Sequence, residues 1–199
     1  MENTFCKILP DIAGKDKYCI VCSADGVGTK AHYVAQSLSN HYILGMVHDA
    51  IVMNLDDLLC VGATKNFYMT NTISIGESID LREDKINHIR KSVDVVCGMY
   101  KIQNGGGETA ILNTIDTLLF DVSMFTRMNR KKLISVNLDD SFDEIVCVGI
   151  KLSETSWGCN GFTELRKVKG ISFSDLETTY SHLHFMKWVY RNLDIRYGG

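Results

Sequence analysis

Residues with the chemistry to bind a charged ligand occur first at Asp25-Gly-Val-Gly-Thr-Lys30, directly after the apolar run 18–24. The segment combines a carboxylate, two glycines that expose backbone N–H groups, and a terminal ammonium. Such a set can hold a magnesium-bound polyphosphate. Its order differs from the Walker A loop, G-x-x-x-x-G-K-[ST], and from the dinucleotide fingerprint, G-x-G-x-x-G. A glycine turn that carries a surface lysine is the alternative interpretation.

A second group of acidic residues, Asp49, Asp56 and Asp57, lies in a segment predicted to be a helix over 49–61. Asp49 and Asp56 are two helical turns apart, which places them on one face, opposite the aliphatic side chains. Carboxylates on an apolar helix are costly unless they are solvated, paired or bound to a metal. The helix therefore predicts either a solvated outer face or a metal site. Because adjacent residues point about 100° apart, the spacing leaves open whether Asp56 or Asp57 is the ligand.

The third group follows an amphipathic run over 82–103 and is Gly105-Gly-Gly-Glu108-Thr-Ala110. Its glycines allow the backbone to approach a ligand closely, and Glu108 would add an oxygen ligand. A turn that ends the preceding helix is the alternative. Together the three junctions predict a magnesium–nucleotide site, because magnesium prefers carboxylate and phosphate oxygens to nitrogen or sulfur.

The elements that must position these groups alternate along the chain, and the mixture of strands and long helices predicts an α+β fold of the α/β type. His182 and His184 lie two residues apart on the last predicted helix and so face different sides, which favours a structural or surface role over a metal site. The predicted strands cover 18–24, 67–75, 117–127 and 144–150, and the predicted helices cover 49–61, 82–103, 162–168 and 175–192.

Composition excludes several classes of protein. The 199 residues carry 21 Lys+Arg against 24 Asp+Glu, a net charge of −3, which offers no broad cationic surface and argues against nucleic-acid binding. No stretch approaches 18 uncharged apolar residues and the first residues lack a signal-peptide layout, so we expect a cytoplasmic protein without a membrane partner. The seven cysteines are odd in number and scattered, which predicts reduced, buried thiols.

In their order, these motifs resemble those of the phosphoribosylformylglycinamidine cyclo-ligase family, also called aminoimidazole ribonucleotide synthetase. The resemblance covers about residues 5–168. Its wider superfamily includes formylglycinamide ribonucleotide amidotransferase, selenophosphate synthetase, thiamine-monophosphate kinase and a hydrogenase maturation factor, all of which use ATP. The matching pieces are Ala24–Lys30, the block from His48 to Ala63, Gly106–Ala110, and Trp157–Phe162, which is similar to the family's S-N-G-Y/F turn.

The resemblance implies an enzyme that uses ATP and Mg²⁺ to close the imidazole ring of formylglycinamidine ribonucleotide in de novo purine biosynthesis. It implies catalytic roles for Asp25, Lys30, Asp49 and Glu108. It implies contacts to ATP phosphates from Gly26, Gly28, Thr29, Lys30, Gly106, Gly107 and Thr109, contacts to the substrate from Asn160 and Gly161, and metal ligation by Asp25, Asp49, Asp56 and Asp57.

The same resemblance implies an ATP-binding, dimer-forming domain over residues 1–132 and a partial second domain over 133–199, with a homodimer built around a shared barrel. Relative to the family the chain is expected to be truncated at both ends. It also departs from the family after Ala110, where Ile111-Leu-Asn-Thr replaces the usual Glu-Met-Pro-Gly. A non-catalytic remnant that binds nucleotide or dimerises, or another ATP-using member of the superfamily, is therefore the alternative.

Overall fold

A computed structural model describes residues 3–80, 83–136, 163–164, 167 and 180–195, and this part of the chain contains one five-stranded sheet. The strands are β1 (Lys7–Pro10), β2 (Tyr18–Gly26), β3 (Phe67–Gly76), β4 (Gln103–Leu112) and β5 (Leu118–Asn129). Their order in the sheet is β1-β2-β5-β3-β4. Neighbouring strands are antiparallel except β3 and β4, which are parallel.

Four helices accompany the sheet in the described residues: α1 (Gly28–Ser37), α2 (Asn40–Cys60), α3 (Glu83–Tyr100) and α4 (Leu183–Asn192). Of these, α3 connects the parallel strands β3 and β4, which need a long crossover. The α+β fold predicted from the sequence is therefore confirmed. Within the described residues, none of the helices has the length and apolar character needed to cross a membrane.

The two faces of the sheet differ. Along β5, side chains are alternately buried and exposed or half-buried, as expected for a strand with one covered face. Helices α1 and α2 pack on β5, and α2 also packs on β2, so they cover the buried face. The opposite face, called here the open face, carries Tyr68 of β3 and Phe125 of β5, whose rings stack at a centroid distance of 5.6 Å.

The predicted strands and helices are confirmed where the structure describes them, with changed limits. The helix predicted over 49–61 begins earlier, at Asn40, because the hydroxyl of Ser39 accepts a hydrogen bond from the backbone N–H of Tyr42 and caps it. Its predicted end is close to the observed one, and Gly62 follows with a φ of +88°. The predicted strand 144–150 and most of the predicted helix 162–168 lie outside the described residues.

Two predictions about glycine segments are wrong. The helix predicted over 82–103 ends at Tyr100, because Lys101 adopts a left-handed conformation with a φ of +58°. Asn104 to Gly107 therefore do not end a helix and instead form the first half of β4. Likewise, the segment after Asp25 is not an open turn, since β2 continues to Gly26 and α1 begins at Gly28.

Candidate functional site

The carboxyl end of β2 brings Asp25 to the surface beside α2. The carboxylate of Asp25 accepts a hydrogen bond from the backbone N–H of Gly26 at 2.7 Å. Its backbone carbonyl accepts one from the side-chain amide of Asn54 at 3.1 Å. Asn54 is fully buried on α2 and also donates to the carbonyl of Ala50 at 2.9 Å. A buried amide thus fixes the end of the strand against the helix.

Asp57 faces the same strand end. The hydroxyl of Ser23 donates to the Asp57 carboxylate at 2.6 Å. Burial raises the pKa of Asp57, the Ser23 hydrogen bond opposes that rise, and the negative charges of Asp25 and Asp56 add to it. Two predicted magnesium ligands, Asp25 and Asp57, therefore lie close enough for the charge of Asp25 to disfavour the ionised form of Asp57.

Asp121 joins this group, although the sequence analysis did not select it. In the β2–β5 pairing Asp121 lies opposite Gly26, and a Cβ atom added to that glycine would lie 1.9 Å from the Asp121 carboxylate oxygen. Burial and the charge of Asp25 raise the pKa of Asp121. We call Asp25, Asp57 and Asp121 the acidic junction. Nothing in the sequence separates Asp121 from the other outward-facing polar residues of β5, such as Ser123 and Arg127, since a strand with one covered face alternates in this way.

Glu108 lies on the open face, in the same cross-strand row as Asp121. Thr72 of β3 pairs with Asp121 on one side and with Glu108 on the other. Two strand spacings separate the backbones of Glu108 and Asp121 by about 10 Å. The Glu108 carboxylate accepts a hydrogen bond from the backbone N–H of Thr109 at 3.0 Å. Glu108 is thus a neighbour of the acidic junction rather than part of it.

The glycines before Glu108 allow β4 to pass an irregular stretch of β3. Pairing between the two strands shifts between Met69 and Asn71. A Cβ atom on Gly107 would lie 2.1 Å from the backbone oxygen of Asn71, and Gly106 has a φ of +87°. The next predicted phosphate ligand, Thr109, accepts a hydrogen bond from the Arg90 guanidinium at 3.4 Å. Close packing of two backbones therefore accounts for Gly107.

Lys30 and Asp49 come together in the interior. The Lys30 ammonium forms an ion pair with the Asp49 carboxylate, and 3% and 0% of their side chains are exposed. The interpretation of Lys30 as a surface lysine is therefore wrong, as is a solvated outer face for Asp49, because α2 is buried on nearly all sides between Ile43 and Leu59. Two predicted phosphate-binding residues lie next to Lys30. Gly28 is the first residue of α1, and a Cβ atom added to it would meet no other atom within 4 Å; the hydroxyls of Thr29 and Thr163 are 2.6 Å apart.

Asp56 turns away from the acidic junction. Its carboxylate accepts hydrogen bonds from the Ser181 hydroxyl and from the ring Nδ1 and backbone N–H of His182. Adjacent positions on α2 thus direct Asp57 towards β2 and Asp56 towards α4, as the 100° rotation between neighbours requires.

The predicted metal ligands fall into three places: the acidic junction, the Lys30–Asp49 pair and the α4 contact of Asp56. Across the described ranges, no group of three or more His, Cys, Asp or Glu side chains converges to hold a metal ion. The donor chemistry of the acidic junction nevertheless fits magnesium, since it consists of carboxylates whose mutual repulsion a cation would relieve. Asn160 and Gly161 lie outside the described residues, so their contacts with substrate stay a prediction.

Comparisons with known proteins identify the family to which this part of the chain belongs. Residues 6–128 match the family model described as AIR synthase related protein, N-terminal domain. The chain is 28% identical over 171 residues to phosphoribosylformylglycinamidine cyclo-ligase of Crocosphaera subtropica, covering 81% of this chain and 46% of that protein. It is 25% identical over 162 residues to the enzyme of the same name from Thermoplasma acidophilum, covering 81% and 45%. The chain therefore spans about half the length of the curated relatives it matches.

Among solved structures, AaThiL complexed with AMPPCP and TMP has a TM-score of 0.59 and 14% sequence identity, with 96% of this chain and 58% of that chain covered. At this identity the likeness establishes the fold alone. The family model, in contrast, matches more than half of the residues and includes the acidic junction. The chain therefore belongs to the family of AIR synthase related proteins, whose N-terminal domain it carries over residues 6–128.

Proposed function

We propose that the protein takes part in the ATP-dependent ring closure of formylglycinamidine ribonucleotide to aminoimidazole ribonucleotide. The observation that carries the proposal is the acidic junction, where Asp25, Asp57 and Asp121 lie at one end of the sheet in the N-terminal domain of this family. The names of the curated relatives support the specific reaction. Because the chain spans about half their length, the complete activity is a proposal for the protein as a whole.

ATP and magnesium are the cofactors of this proposal. AaThiL, which shares the fold, was solved with AMPPCP, an analogue of ATP. In this chain Asp25 and Asp57 would hold the magnesium, which supplies charge neutralisation to the nucleotide phosphates when it is bound, and Asp121 would add negative charge nearby. The other two predicted ligands have different partners: Asp49 is paired with Lys30, and Asp56 accepts hydrogen bonds from the start of α4.

The proposed reaction transfers the terminal phosphoryl group of ATP to the formyl oxygen of the substrate, after which the substrate's nitrogen attacks the same carbon and expels phosphate. Such transfers depend on positioning and charge neutralisation more than on covalent chemistry by the protein. The residues of this chain accordingly serve to orient the groups that would bind the magnesium and the phosphates. Asn54 fixes the carbonyl of Asp25, and Ser23 fixes the carboxylate of Asp57. Glu108 lies on the exposed edge strand β4, two strands away from Asp121.

A homodimer is part of the same proposal, and the open face supports it. Tyr68 and Phe125 are 45% and 36% exposed there, and their rings stack, which leaves an aromatic surface on the uncovered side of the sheet. Replacing Phe125 with aspartate should convert the dimer to a monomer in size-exclusion chromatography with light scattering. Replacing the exposed Val95 of α3 in the same way serves as the control, and a monomeric wild-type protein would contradict the proposal.

A cytoplasmic setting also belongs to the proposal. No disulfide joins the cysteines of the described segments, which suits a reducing compartment. Those cysteines are Cys6, Cys19, Cys22, Cys60 and Cys97.

The decisive experiment measures ADP release with and without formylglycinamidine ribonucleotide. The proposal expects ADP release that depends on this substrate and on magnesium, and that is lost in Asp57→Asn. Asp16→Asn is the matched control, because Asp16 is an exposed aspartate in the β1–β2 connection. Binding of nucleotide without substrate-dependent ADP release would instead support a non-catalytic nucleotide-binding protein. Absence of both would contradict ATP use.

A further inference from the structure

The two adjacent carboxylates in the last turns of α2 have different surroundings. Asp57 receives one side-chain hydrogen bond, from Ser23, and is electrostatically coupled to Asp25. Asp56 receives hydrogen bonds from the Ser181 hydroxyl at 2.5 Å and from His182 Nδ1 at 2.6 Å. Both oxygens of Asp56 are therefore already occupied by donors from another part of the chain.

Those donors belong to the beginning of α4. The backbone N–H of His182 also lies 3.3 Å from the Asp56 carboxylate, whereas the side chain of His182, the N-cap residue of α4, makes no capping hydrogen bond within its own helix. A helix N-terminus has N–H groups without intrahelical partners and a partial positive charge. Asp56 thus supplies to α4, from α2, an acceptor and a negative charge, in addition to the local acceptor that the Ser181 hydroxyl offers to the backbone N–H of Leu183 at 3.1 Å.

A second contact holds the other end of α4 to the same turn of α2. The Tyr190 hydroxyl donates to the backbone carbonyl of Leu59 at 2.5 Å. Burial raises the pKa of Tyr190, so its phenol stays protonated and able to donate. The same carbonyl also accepts a hydrogen bond from the backbone N–H of Gly62 at 2.9 Å, so the Tyr190 bond adds a second donor at the end of α2. Leu183 and Val189, both buried, fill the space between these two attachments.

A third contact joins the same region to α3. The backbone N–H of Ser181 donates to the Tyr100 hydroxyl at 3.4 Å, and that hydroxyl is 3.0 Å from Nε2 of His48 on α2. The Tyr180 ring packs edge-on against His48 at a centroid distance of 5.5 Å. The segment that enters α4 is therefore attached to two helices of the N-terminal domain, with Asp56 receiving most of the polar contacts.

From these contacts we infer that Asp56 is a positioning residue: it anchors α4, and α4 holds the last turn of α2 so that Asp57 stays directed towards Ser23 and Asp25. In this role Asp56 does not contact the metal. What it must supply is a hydrogen-bond acceptor at the start of α4, whereas a magnesium ligand must supply a negatively charged oxygen. The part of the inference that concerns nucleotide affinity rests on the proposed function.

Two substitutions of Asp56 distinguish the need for a hydrogen-bond acceptor at the start of α4 from the need for a negative charge on a metal. Asn is about as good an N-cap as Asp, but its neutral amide is a poor replacement for a carboxylate on magnesium. We therefore expect Asp56→Ala to accelerate hydrogen exchange of residues 183–192 by about fivefold, the effect of losing one cap. Affinity for Mg-AMPPCP, measured by titration calorimetry, should fall with it. Asp56→Asn keeps one acceptor oxygen for the start of α4, so it should recover much of both losses, and Asp16→Ala should change neither quantity.

Tyr190→Phe provides an independent test from the other end of α4, and it keeps the ring that fills the interface. It should also accelerate exchange in residues 183–192 and weaken Mg-AMPPCP binding, although Tyr190 is far along the helix from Asp56. The inference is overturned if α4 exchanges at the wild-type rate in Asp56→Ala. It is equally overturned if Asp56→Asn binds Mg-AMPPCP as poorly as Asp56→Ala, because that result indicates a metal ligand.

Different results would contradict the anchoring of α4 by Asp56 and the use of ATP by the protein. If the wild-type chain does not bind Mg-AMPPCP at all, the proposed use of ATP is contradicted, and the claim that Asp56 supports the nucleotide site falls with it. Hydrogen exchange still decides whether Asp56 anchors α4, since that measurement needs no ligand.

Discussion

Lys30 and Asp49 form an ion pair between α1 and α2, with almost no part of either side chain exposed to solvent. Lys30 ends the Gly-Val-Gly-Thr-Lys motif, and Asp49 begins the group of acidic residues on α2. Burying either charge alone is costly, whereas burying both together allows each to compensate the other. The pair therefore ties the segment after Asp25 to the central helix, and so it helps to place the acidic junction.

Replacing Lys30 with methionine should destabilise the protein strongly. The change keeps much of the side-chain volume but removes the ammonium from Asp49, and breaking a buried pair in this way typically costs about 3–5 kcal/mol. The free energy of unfolding in urea measures the effect, and Lys91→Met on the exposed surface of α3 is the matched control. Lys30→Met combined with Asp49→Leu should recover much of the loss, because no uncompensated charge remains. Equal stabilities of the two single lysine variants would refute this role.

Much of the sheet could be predicted from the sequence, because 18–24 is a mostly apolar run and 67–75 largely alternates apolar with polar side chains. The conformation of the segment Asn104–Gly107 could not be predicted, because nothing in the local sequence distinguishes glycines that end a helix from glycines that pack against a neighbouring backbone. What decides its conformation is the irregular pairing of β3 beside it, which is a tertiary feature. The start of α2 is not evident from the acidic residues for a simpler reason: the Ser39 cap lies ten residues before Asp49, the first of them.

The candidate site was predictable as a set of residue types but not as a geometry. Helical spacing places Asp49 and Asp56 on one side of α2, yet their partners, Lys30 and the start of α4, come from distant parts of the chain. Asp121 was missed because its importance comes from lying across from Gly26, and strand register is not visible in a single strand.

Asp57→Asn should make the protein more stable at pH 7 while weakening its binding of Mg-AMPPCP. The pKa of Asp57 is raised in the folded state, mainly by burial, so the folded state holds its proton to higher pH than the unfolded state does. The stability of the wild-type protein consequently falls as the pH rises above the ordinary carboxyl range. The asparagine variant does not ionise at position 57, so this contribution to the pH dependence is absent from it. Urea midpoints at pH 4 and pH 7 should differ less for the variant than for wild type.

The affinity measurement completes this prediction. Removal of a proposed magnesium ligand should weaken Mg-AMPPCP binding by about tenfold or more, because replacing even a residue that only hydrogen-bonds to a metal ligand typically costs this much affinity. Asp16→Asn should alter neither the urea midpoints nor the affinity. A variant that is less stable than wild type at pH 7 would show that the carboxylate stabilises the fold.

The ion pair between Asp11 and Arg127 should make the stability of the fold depend on pH in the opposite direction to Asp57. The Arg127 Nε and Nη2 atoms donate to the two Asp11 oxygens at 2.6 Å and 2.9 Å, and this hydrogen bonding lowers the pKa of Asp11 from 3.8 to about 2. A depressed carboxyl pKa stabilises the fold above its unfolded value, and that contribution is lost as the pH falls from 3.8 towards 2. Wild type should therefore exceed Asp11→Asn in stability at pH 5, with a gap that narrows between pH 4 and pH 2.

Thermal midpoints across this range provide the measurement, and Asp16→Asn, in the same β1–β2 connection, is the control that should show no such narrowing. A gap of constant size down to pH 2 would mean that the Asp11 carboxylate contributes nothing through ionisation.

Gly107→Ala tests whether the glycines of β4 are required by backbone packing. An added Cβ would lie 2.1 Å from the backbone oxygen of Asn71, which cannot move aside as a flexible side chain could, so β4 must shift. We expect a loss of about 1–3 kcal/mol in the free energy of unfolding, typical of overpacking. Gly98→Ala is the matched control, because its Cβ meets nothing within 4 Å and alanine should stabilise α3 by up to about 1 kcal/mol. Since Glu108 is the next residue, a stable Gly107→Ala protein would also show that close strand packing does not determine where that carboxylate lies.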